Sequence, residues 1–573
     1  MESLNLADRV ALAIKNTQEL YLSDPLPWIV GYSGGKDSTA TLQLIWESIR
    51  QLPPHQRHKE IHVISTDTLV ENPVVAIWVT NSLEAMTAAA REQEMPITPH
   101  RLVPKVEDRF WTNLIGKGYP APRPKFRWCT SRLKISASNT FITELANRAG
   151  EAILVLGTRR AESAARDRVI SKYENSTRAL LSRNSDPTLD RVWVYTPVAS
   201  WSTDDVWEYL IETPNPWNYN NLELFHIYRG ASADSECPLV VDKSTPSCGD
   251  SRFGCFVCTM VSEDKSMQAM IQNDEDKLWM KPLLDFRNAL LKTSGDREVR
   301  EFSKMDGSLQ LQFINLKHDR VVRRGRVLSE RLIKRLDHAD DLEFPLPNRR
   351  VLVQEIRVVD EHGKQTQVEY EVEKVAVLVH GPYTQAYRAE MLNALLQAQT
   401  EIRGKLPDSV AHFSVISDEE LEEIRRIWVH EKHEFEDLVP DIYASAVGEP
   451  YPCGELDDAT PLRPDDLRML RTACANAEID AKHIGPVSAQ EMLFRDLREL
   501  LGIQYSYRGA SRRVGLTGDL DSILENRSFE NESEALDFAL QKKAGGVEIM
   551  YEMRNAEEVL TFFPGAAMGE VTE

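Results

Sequence analysis

The amino-acid sequence predicts an α/β fold for the first 260 residues or so, with a parallel β-sheet covered by helices on both faces. The basis is three short runs of aliphatic, aromatic and β-branched residues, at positions 28–32, 61–65 and 152–156. Helix-length segments separate these runs, and crossovers of that length join parallel strands. Ligands bind at the carboxyl ends of such strands, so we expect the loops after Tyr32, Ser65 and Leu156 to converge.

The helices follow from amphipathic periodicity. One helical segment covers residues 38–50, a second covers about 73–93, and a third covers 140–148. Beyond residue 275 charged helical patterns predominate, and residues 350–360 and 365–380 form a strand-like pair joined by a turn at 361–364. We therefore expect an α/β domain over 1–275, a mainly helical region with a small β element over 276–450, and a helical region over 451–573.

Composition restricts the class of protein. The chain has 573 residues, of which 42% are hydrophobic and 27% charged, as in globular proteins. No apolar run reaches the roughly 18 residues of a membrane-spanning helix, and the segment Met1-Glu2-Ser3-Leu4 lacks the cations of a secretory signal. Seven cysteines, an odd number, do not suit a disulfide scaffold. We expect a cytoplasmic protein without a membrane partner.

A basic segment interrupts an acidic chain. The net charge is −21, which argues against a protein that coats DNA by itself. Residues 101–183 nevertheless hold 17 Lys and Arg against 7 Asp and Glu, a net +10. This local excess of positive charge indicates an anion site.

The strongest motif is Ser33-Gly34-Gly35-Lys36-Asp37-Ser38-Thr39, which follows the first strand and opens a helix. Two glycines let the backbone curl so that successive N–H groups face one anion, and the helix N-terminus and the hydroxyl groups favour the same ligand. The ATPase P-loop is excluded, because Val30 and Asp37 stand where that motif has its first glycine and its Ser or Thr. The motif predicts a phosphate cradle.

The other two strand ends also carry residues that suit a nucleotide. Thr66, Asp67 and Thr68 follow the second strand. The third strand is followed by a set of small and polar residues: Gly157, Arg159, Arg160, Glu162, Ser163 and Arg166. Arginines can neutralise a phosphoryl group during transfer, and the carboxylates of Asp37 and Asp67 could hold Mg²⁺.

One thiol lies in a cationic stretch of sequence. Cys129 is flanked by five basic residues: Arg123, Lys125, Arg127, Arg132 and Lys134. Because nearby cations lower the pKa of a thiol, we expect a large thiolate fraction at neutral pH. Cys129 is therefore a candidate nucleophile or sulfur carrier, and a small buried core residue is the alternative.

Four further thiols lie within 22 residues, at Cys237, Cys248, Cys255 and Cys258. Such a density is hard to explain by packing and predicts a metal centre. Zinc and a [4Fe–4S] cluster both accept four thiolates, and the spacing alone leaves the two alternatives open.

Together these stretches resemble a known superfamily. The loop at residues 33–39 is similar to the pyrophosphatase loop of enzymes that split ATP between the α and β phosphates, among them phosphoadenylylsulfate reductases and tRNA-thiolating enzymes. Residues 157–166 resemble a later signature of these enzymes, as do Pro197, Trp201 and residues 204–207. With its arginine-flanked cysteine and four-cysteine set, the chain most resembles the DndC family, the ATP-dependent sulfurtransferases of bacterial DNA phosphorothioation.

The resemblance implies an adenine nucleotide alpha hydrolase-like fold, with ATP, Mg²⁺ and a [4Fe–4S] cluster on the four clustered cysteines. It implies that a DNA backbone phosphate is adenylated, with release of pyrophosphate, and then receives sulfur. The implied catalytic residues are Lys36, Asp37, Cys129, Arg159 and Arg166. The residues implied to bind the substrate phosphate are Arg123, Lys125, Arg127, Arg132, Lys134, Arg160, Glu162 and Ser163. The implied partners are DNA presented by other subunits and a cysteine desulfurase as sulfur donor.

Two other functions remain open from the sequence. One is a phosphoadenylylsulfate reductase-type oxidoreductase, although members of that family are shorter and end near a redox cysteine, whereas 99 residues follow Cys474 here. The other is an iron–sulfur scaffold that has lost catalysis, and the intact loop at residues 33–39 argues against it.

Overall fold

The structure is a computed structural model that describes residues 5–562 apart from several gaps. The residues outside the description are 125, 163–166, 169–170, 172–179, 185, 232–252, 296, 316–317, 324–325, 333–347, 359–366, 455–461, 463, 478–488, 509–514, 526–528, 530, 544–550 and 555–556, besides both ends of the chain. No helix in the described part is long and apolar enough to cross a membrane.

The first sheet has six strands and carries the candidate site. The strands are β1 (Trp28–Gly31), β2 (Ile61–Thr66), β3 (Ile97–Leu102), β4 (Ala152–Val155), β5 (Leu181–Arg183) and β6 (Val192–Tyr195). Their order is β3-β2-β1-β4-β6-β5, and every pairing is parallel except that of the edge strand β5 with β6. The predicted parallel sheet is confirmed, and its central strand β1 pairs Val30 with Val63 on one side and with Val155 on the other.

Helices cover both faces of this sheet. They are α1 (Leu6–Ser23), α2 (Lys36–Arg50), α3 (Pro73–Glu92), α4 (Ser136–Ala149), α5 (Thr203–Glu212) and α6 (Asn221–Gly230), followed by α7 (Lys265–Asn273) and α8 (Lys281–Thr293). Trp46 and Met86 from α2 and α3 pack in one core with Val30. Ile142 of α4 packs with Ile29 in a separate core on the other face. The predicted fold class is therefore confirmed.

The start of α5 contains residues 204–207, a stretch that carries the family resemblance, and it is held by Asp205. Ser202 and Asp205 form a capping box, each accepting a backbone N–H of the other. Arg9 of α1 donates to both carboxylate oxygens of Asp205, at 2.8 and 2.7 Å. Burial alone would raise the pKa of Asp205, but these hydrogen bonds outweigh it and lower the pKa. This carboxylate fixes α1 to α5.

The second half combines helices with a further sheet. Its strands are β7 (Gln310–Asn315), β8 (His318–Arg323), β9 (Arg326–Leu332), β10 (Asn348–Val358), β11 (Gln367–Val379), β12 (Tyr551–Arg554) and β13 (Glu557–Phe562). Its helices are α9 (Gln385–Arg403), α10 (Asp418–Arg426), α11 (Leu438–Val447), α12 (Pro464–Ala475), α13 (Ala489–Ser506), α14 (Leu516–Glu525) and α15 (Glu532–Lys543). The predicted strand pair is β10 with β11, which are antiparallel; the predicted turn at 361–364 lies outside the described residues.

The largest core joins the two halves of the chain. It contains Trp128 and Phe256 from the first half and Leu392 and Trp428 from the second. The indole of Trp428 donates to the carbonyl of Ile115 at 3.0 Å. The segment that carries Cys129 therefore packs directly on the second half.

Candidate nucleotide and cysteine site

The loop between β1 and α2 has the geometry of an anion cradle. Gly34 has φ +72°, and a Cβ there would lie 2.3 Å from Cγ2 of Val79, so only glycine fits. The Ser38 hydroxyl accepts from the Ser33 backbone N–H at 3.2 Å and donates to the Gly35 carbonyl at 3.0 Å. These bonds hold the curl closed at the N-terminus of α2.

A second glycine brings the end of β4 against this loop. A Cβ on Gly157 would lie 2.7 Å from the carbonyl oxygen of Asp37, closer than a real side chain tolerates. Two residues later, Arg159 donates from Nε to Oδ1 of Asp37 at 2.7 Å. Its other nitrogens donate to the Trp201 carbonyl at 3.2 Å and to the Thr203 hydroxyl at 3.3 Å. Arg159, which is 1% exposed, positions Asp37.

Glu162 fixes the backbone at Arg159. Its carboxylate accepts the backbone N–H of Arg159 at 2.9 Å. The neighbouring Arg160 pairs with Asp167 at 3.2 Å on the surface. The signature that follows β4 thus supplies both a buried positioning arginine and a surface arginine. Ser163 and Arg166, which the sequence analysis placed in the same set, lie outside the described residues.

The end of β2 presents the second acidic group. Asp67 accepts the Leu69 backbone N–H at 2.7 Å and is paired with Arg101 of β3, whose Nε lies 3.0 Å from Oδ2. Leu69 has φ +62°, a conformation that a leucine rarely adopts. Asp37 and Asp67 each have a guanidinium partner here. Mg²⁺ at either carboxylate would share it with that guanidinium.

These strand ends enclose one large cavity of about 1970 Å³. The sequence-predicted residues that line it are Ser33, Gly34, Gly35, Lys36, Asp37, Ser38, Thr66, Asp67, Lys134, Gly157, Arg159, Arg160 and Glu162. The predicted convergence of the three loops is confirmed. Thr39 and Thr68 are fully buried and do not line the cavity.

A short segment after β2 connects this cavity to the cysteine turn. Glu71 forms an antiparallel bridge with Cys255, and the Phe256 backbone N–H donates to the Val70 carbonyl at 2.9 Å. The Thr68 hydroxyl lies 3.5 Å from the sulfur of Cys255. The end of β2, which lines the cavity, and the cysteine turn are therefore in direct contact.

The described half of the cysteine set fits a metal-bound turn. The Cys258 backbone N–H donates to the Cys255 carbonyl at 3.0 Å, closing a tight Cys-x-x-Cys turn. Burial, with Glu71 beside it, raises the pKa of Cys255 to about 12. A cation or cluster would compensate that thiolate. Cys237 and Cys248 lie outside the described residues, and within the described ranges no three His, Cys, Asp or Glu side chains are arranged to hold a metal.

The expected low pKa of Cys129 is wrong. Burial raises the pKa of this thiol above its ordinary value, and the neighbouring Cys258 adds to the increase. Two of the flanking cations are neutralised by acids distant in sequence: Arg132 donates to Asp108 at 2.6 Å and Lys134 to Glu71 at 3.0 Å. The surrounding positive charge is smaller than the local sequence indicates.

The remaining flanking cations are placed differently. Arg123 and Arg127 are exposed at the surface beside the cysteine segment. Neither has a carboxylate partner in the part of the chain that the structure describes. Lys125 lies outside that part.

Three contributors to the site escaped the sequence analysis. Arg101 could have been found, because it lies near the carboxyl end of a parallel strand. Tyr228 of α6 lies 3.4 Å from the backbone nitrogen of Lys36, and its ring is 5.4 Å from the Lys36 ammonium. Phe253 packs edge-on against Tyr228, with ring centroids 4.7 Å apart. No local pattern predicts these two long-range aromatic contacts.

Comparison with known proteins places this part of the chain. Residues 27–260 match the phosphoadenosine phosphosulfate reductase domain family. This segment is similar to that family, and the match covers less than half of the chain. An uncharacterized protein of Methanocaldococcus jannaschii is 25% identical over 268 residues, which are 47% of this chain and 42% of that protein. The chain thus spans less than half the length of this curated relative.

Two solved structures are similar to parts of the chain. Phosphoadenylyl-sulfate reductase from Candida auris, solved as a phosphate complex, shares 14% identity with a TM-score of 0.25, covering 39% of this chain and 92% of that one. A tRNA thiolase from Methanococcus maripaludis, solved with its [4Fe–4S] cluster, shares 15% identity with a TM-score of 0.25, covering 50% of this chain and 79% of that one.

Proposed function

We propose that the chain is an ATP-dependent sulfurtransferase that adenylates a DNA backbone phosphate and replaces one of its non-bridging oxygens with sulfur. The reductase-like domain and its phosphate cradle support the use of an adenine nucleotide. The observation that carries the proposal is the connection of the cavity to the cysteine turn through residues 67–72, because it joins a phosphate-activating site to sulfur chemistry.

The cradle residues would bind and orient the triphosphate. The backbone N–H groups of Gly34 and Gly35 and the dipole of α2 favour its negative charge. Lys36 lines the same wall and can neutralise charge that develops on the leaving pyrophosphate. Arg159 holds Asp37 in place, so that this wall is ordered before the nucleotide arrives.

The first step forms one bond and breaks one. A non-bridging oxygen of the DNA phosphate attacks the α-phosphorus of ATP, and the bond from that phosphorus to the β-phosphate oxygen breaks. Pyrophosphate leaves, and the DNA phosphate is now linked to AMP. Two anionic phosphates approach each other in this step. Arg101 and Lys134 line the cavity. They would favour the step once the phosphates replace their carboxylate partners Asp67 and Glu71.

The second step transfers sulfur. A terminal persulfide sulfur on Cys129, supplied by a cysteine desulfurase, attacks the DNA phosphorus and AMP leaves with the bridging oxygen. A thiol reductant then attacks the Cys129 sulfur, which breaks its bond to the transferred sulfur and forms a disulfide with the reductant. A [4Fe–4S] cluster held by Cys237, Cys248, Cys255 and Cys258 would supply electron transfer or sulfide binding beside this thiol.

The test measures both steps with the full chain purified anaerobically. We expect pyrophosphate release from ATP that depends on a DNA oligonucleotide. With a cysteine desulfurase and cysteine added, we expect phosphorothioate dinucleotides in nuclease digests analysed by mass spectrometry. Asp37→Asn should lower pyrophosphate release by about 100-fold, the range for loss of a key electrostatic group. Asp8→Asn, which removes a carboxylate from the first turn of α1, should leave pyrophosphate release unchanged.

Two outcomes would contradict the proposal. Pyrophosphate release that Asp37→Asn leaves intact would remove the cradle from the reaction. Reduction of phosphoadenylylsulfate with thioredoxin, without pyrophosphate release from ATP, would favour the oxidoreductase instead. Iron and sulfide analysis separately decides between a [4Fe–4S] cluster and zinc.

A further inference from the structure

A tight turn next to the cysteines presents an aromatic ring to solvent. Arg123 and Phe126 exchange two backbone hydrogen bonds, at 3.2 and 2.7 Å. Phe126 is 39% exposed and so offers part of its ring to a ligand. We call the described residues of this turn, Arg123, Pro124, Phe126 and Arg127, the Phe126 turn.

The base of the Phe126 turn is fixed on both sides. The Thr259 hydroxyl donates to the Pro122 carbonyl at 2.6 Å, and the buried Trp128 indole donates to the Pro120 carbonyl at 2.8 Å. The Ala121 backbone N–H donates to the hydroxyl of Tyr383 at 3.1 Å. Because these hydrogen bonds already fix the turn, a ligand that covers the exposed ring causes little loss of conformational entropy.

The two arginines of the turn take no part in the ion pairs that neutralise several other cations of the basic segment. Arg101, Arg109, Arg132, Lys134 and Arg160 each pair with a carboxylate. Among the residues that the structure describes, Arg123 and Arg127 have no such partner. Burial lowers the pKa of Arg300 to about 10, and the nearby charge of Arg123 adds to the decrease.

The Phe126 turn lies near the cysteines and near the residues that line the cavity. Its anchor Thr259 directly follows Cys258, and its last residue, Arg127, is two residues before Cys129. The helical turn that begins at Thr130 leads to Lys134 and Ile135, which line the nucleotide cavity. A polyanion bound along Arg123 and Arg127 would therefore lie beside both the cysteines and the cavity mouth.

We propose that Phe126 stacks on an unpaired base of the DNA substrate while Arg123 and Arg127 bind the flanking phosphates. The proposal rests on the proposed function and adds that the substrate is locally single-stranded. Aromatic rings stack on bases of any sequence once these are unpaired, and guanidinium groups bind the backbone. In an intact duplex the faces of the bases are already stacked on one another, so the ring would first have to unstack them.

The test is equilibrium binding without ATP, so that it does not depend on catalysis. Fluorescence anisotropy of the full chain is measured with a labelled single strand of about 12 nucleotides, the same sequence as a duplex, and an abasic strand of equal length. Phe126→Ala should weaken single-strand binding by about 5- to 150-fold, the range for loss of one stacked base. Phe126→Tyr should retain the affinity, and duplex and abasic-strand binding should change less than about threefold.

Matched variants separate stacking from charge. Arg123→Gln and Arg127→Gln should weaken binding of all three probes and reduce the salt dependence of binding by about one charge each. Leu222→Ala, at another exposed apolar side chain, and Lys405→Gln, at a remote cation, should leave all three affinities unchanged.

Equal affinity of wild type and Phe126→Ala for the single strand would overturn the inference. An equal loss for the single strand and the abasic strand would also overturn it, because the effect would then not come from base stacking. Phe126-dependent binding without phosphorothioate formation would instead refute the proposed reaction and leave this binding site standing.

Discussion

The buried pair of Arg159 and Asp37 gives the sharpest test of how the candidate site is held together. Arg159→Met removes a guanidinium that donates 2.7 Å from Asp37, 3.2 Å from the Trp201 carbonyl and 3.3 Å from the Thr203 hydroxyl. Loss of one partner from a fully buried ion pair costs about 3–5 kcal/mol. Because the Asp37 side chain is 22% exposed, we expect the lower end of that range, about 3 kcal/mol.

The assay is urea unfolding followed by tryptophan fluorescence. The relevant transition is the one that ATP shifts, because a ligand stabilises the unit to which it binds. The double variant Arg159→Met/Asp37→Asn should recover part of the loss, because position 37 then carries no charge that needs a partner. In the single variant Asp37 keeps, among the described residues, only the ammonium of Lys36, at 3.3 Å. The neighbouring arginine is the control: Arg160→Met breaks a surface pair with Asp167 and should cost less than about 1 kcal/mol.

Two results would refute this reasoning. If the two single changes add up to the double within about 0.5 kcal/mol, Arg159 and Asp37 do not stabilise each other. If Arg160→Met destabilises as much as Arg159→Met, burial of the guanidinium does not decide the effect.

Three further predictions concern neighbouring positions. Leu69→Gly should raise the free energy of unfolding in the same urea transition by up to about 1 kcal/mol, because glycine adopts the left-handed backbone conformation of position 69 without strain. A loss of stability would mean that the contacts of the leucine side chain contribute more than the backbone strain costs. Gly157→Ala places a Cβ 2.7 Å from the Asp37 carbonyl and should weaken ATP binding in calorimetry by about tenfold, equivalent to an overpacking cost near 1.4 kcal/mol. Gly230→Ala, where nothing lies within 4 Å, is its control. Burial raises the pKa of Cys129, so the thiolate fraction at neutral pH is small. The rate of Cys129 alkylation, followed by mass spectrometry, should therefore still increase above pH 9. A plateau of the rate near neutral pH would contradict the burial argument.

The sequence predicts the nucleotide side of the site well, because that side depends on local patterns. The first three predicted strands agree with β1, β2 and β4 to within one residue at each end. The helix that the loop opens begins at Lys36, inside the motif. Glycines that permit close approach and strand ends that face one edge are properties of short segments, and these are visible in sequence.

The electrostatics of Cys129 was not predictable in the same way. A count of neighbouring cations includes Arg132 and Lys134 but misses the acids that neutralise them. Asp108 lies 24 positions before Arg132, and Glu71 lies on the segment after β2. Burial then adds a desolvation cost that the local sequence does not show. Charge patterns predict a pKa only where the fold keeps the counted charges unpaired.

The packing of the second half changes how the cysteine segment is understood. Trp128, next to Cys129, stacks on Phe110 with ring centroids 5.3 Å apart, and the adjacent Trp111 donates to the Val415 carbonyl at 2.7 Å. Residues beyond position 380 thus form the support on which the thiol is positioned. A region that held only a docking surface would not need to enter this core. The second half therefore has a structural role beside the cysteines of the candidate site.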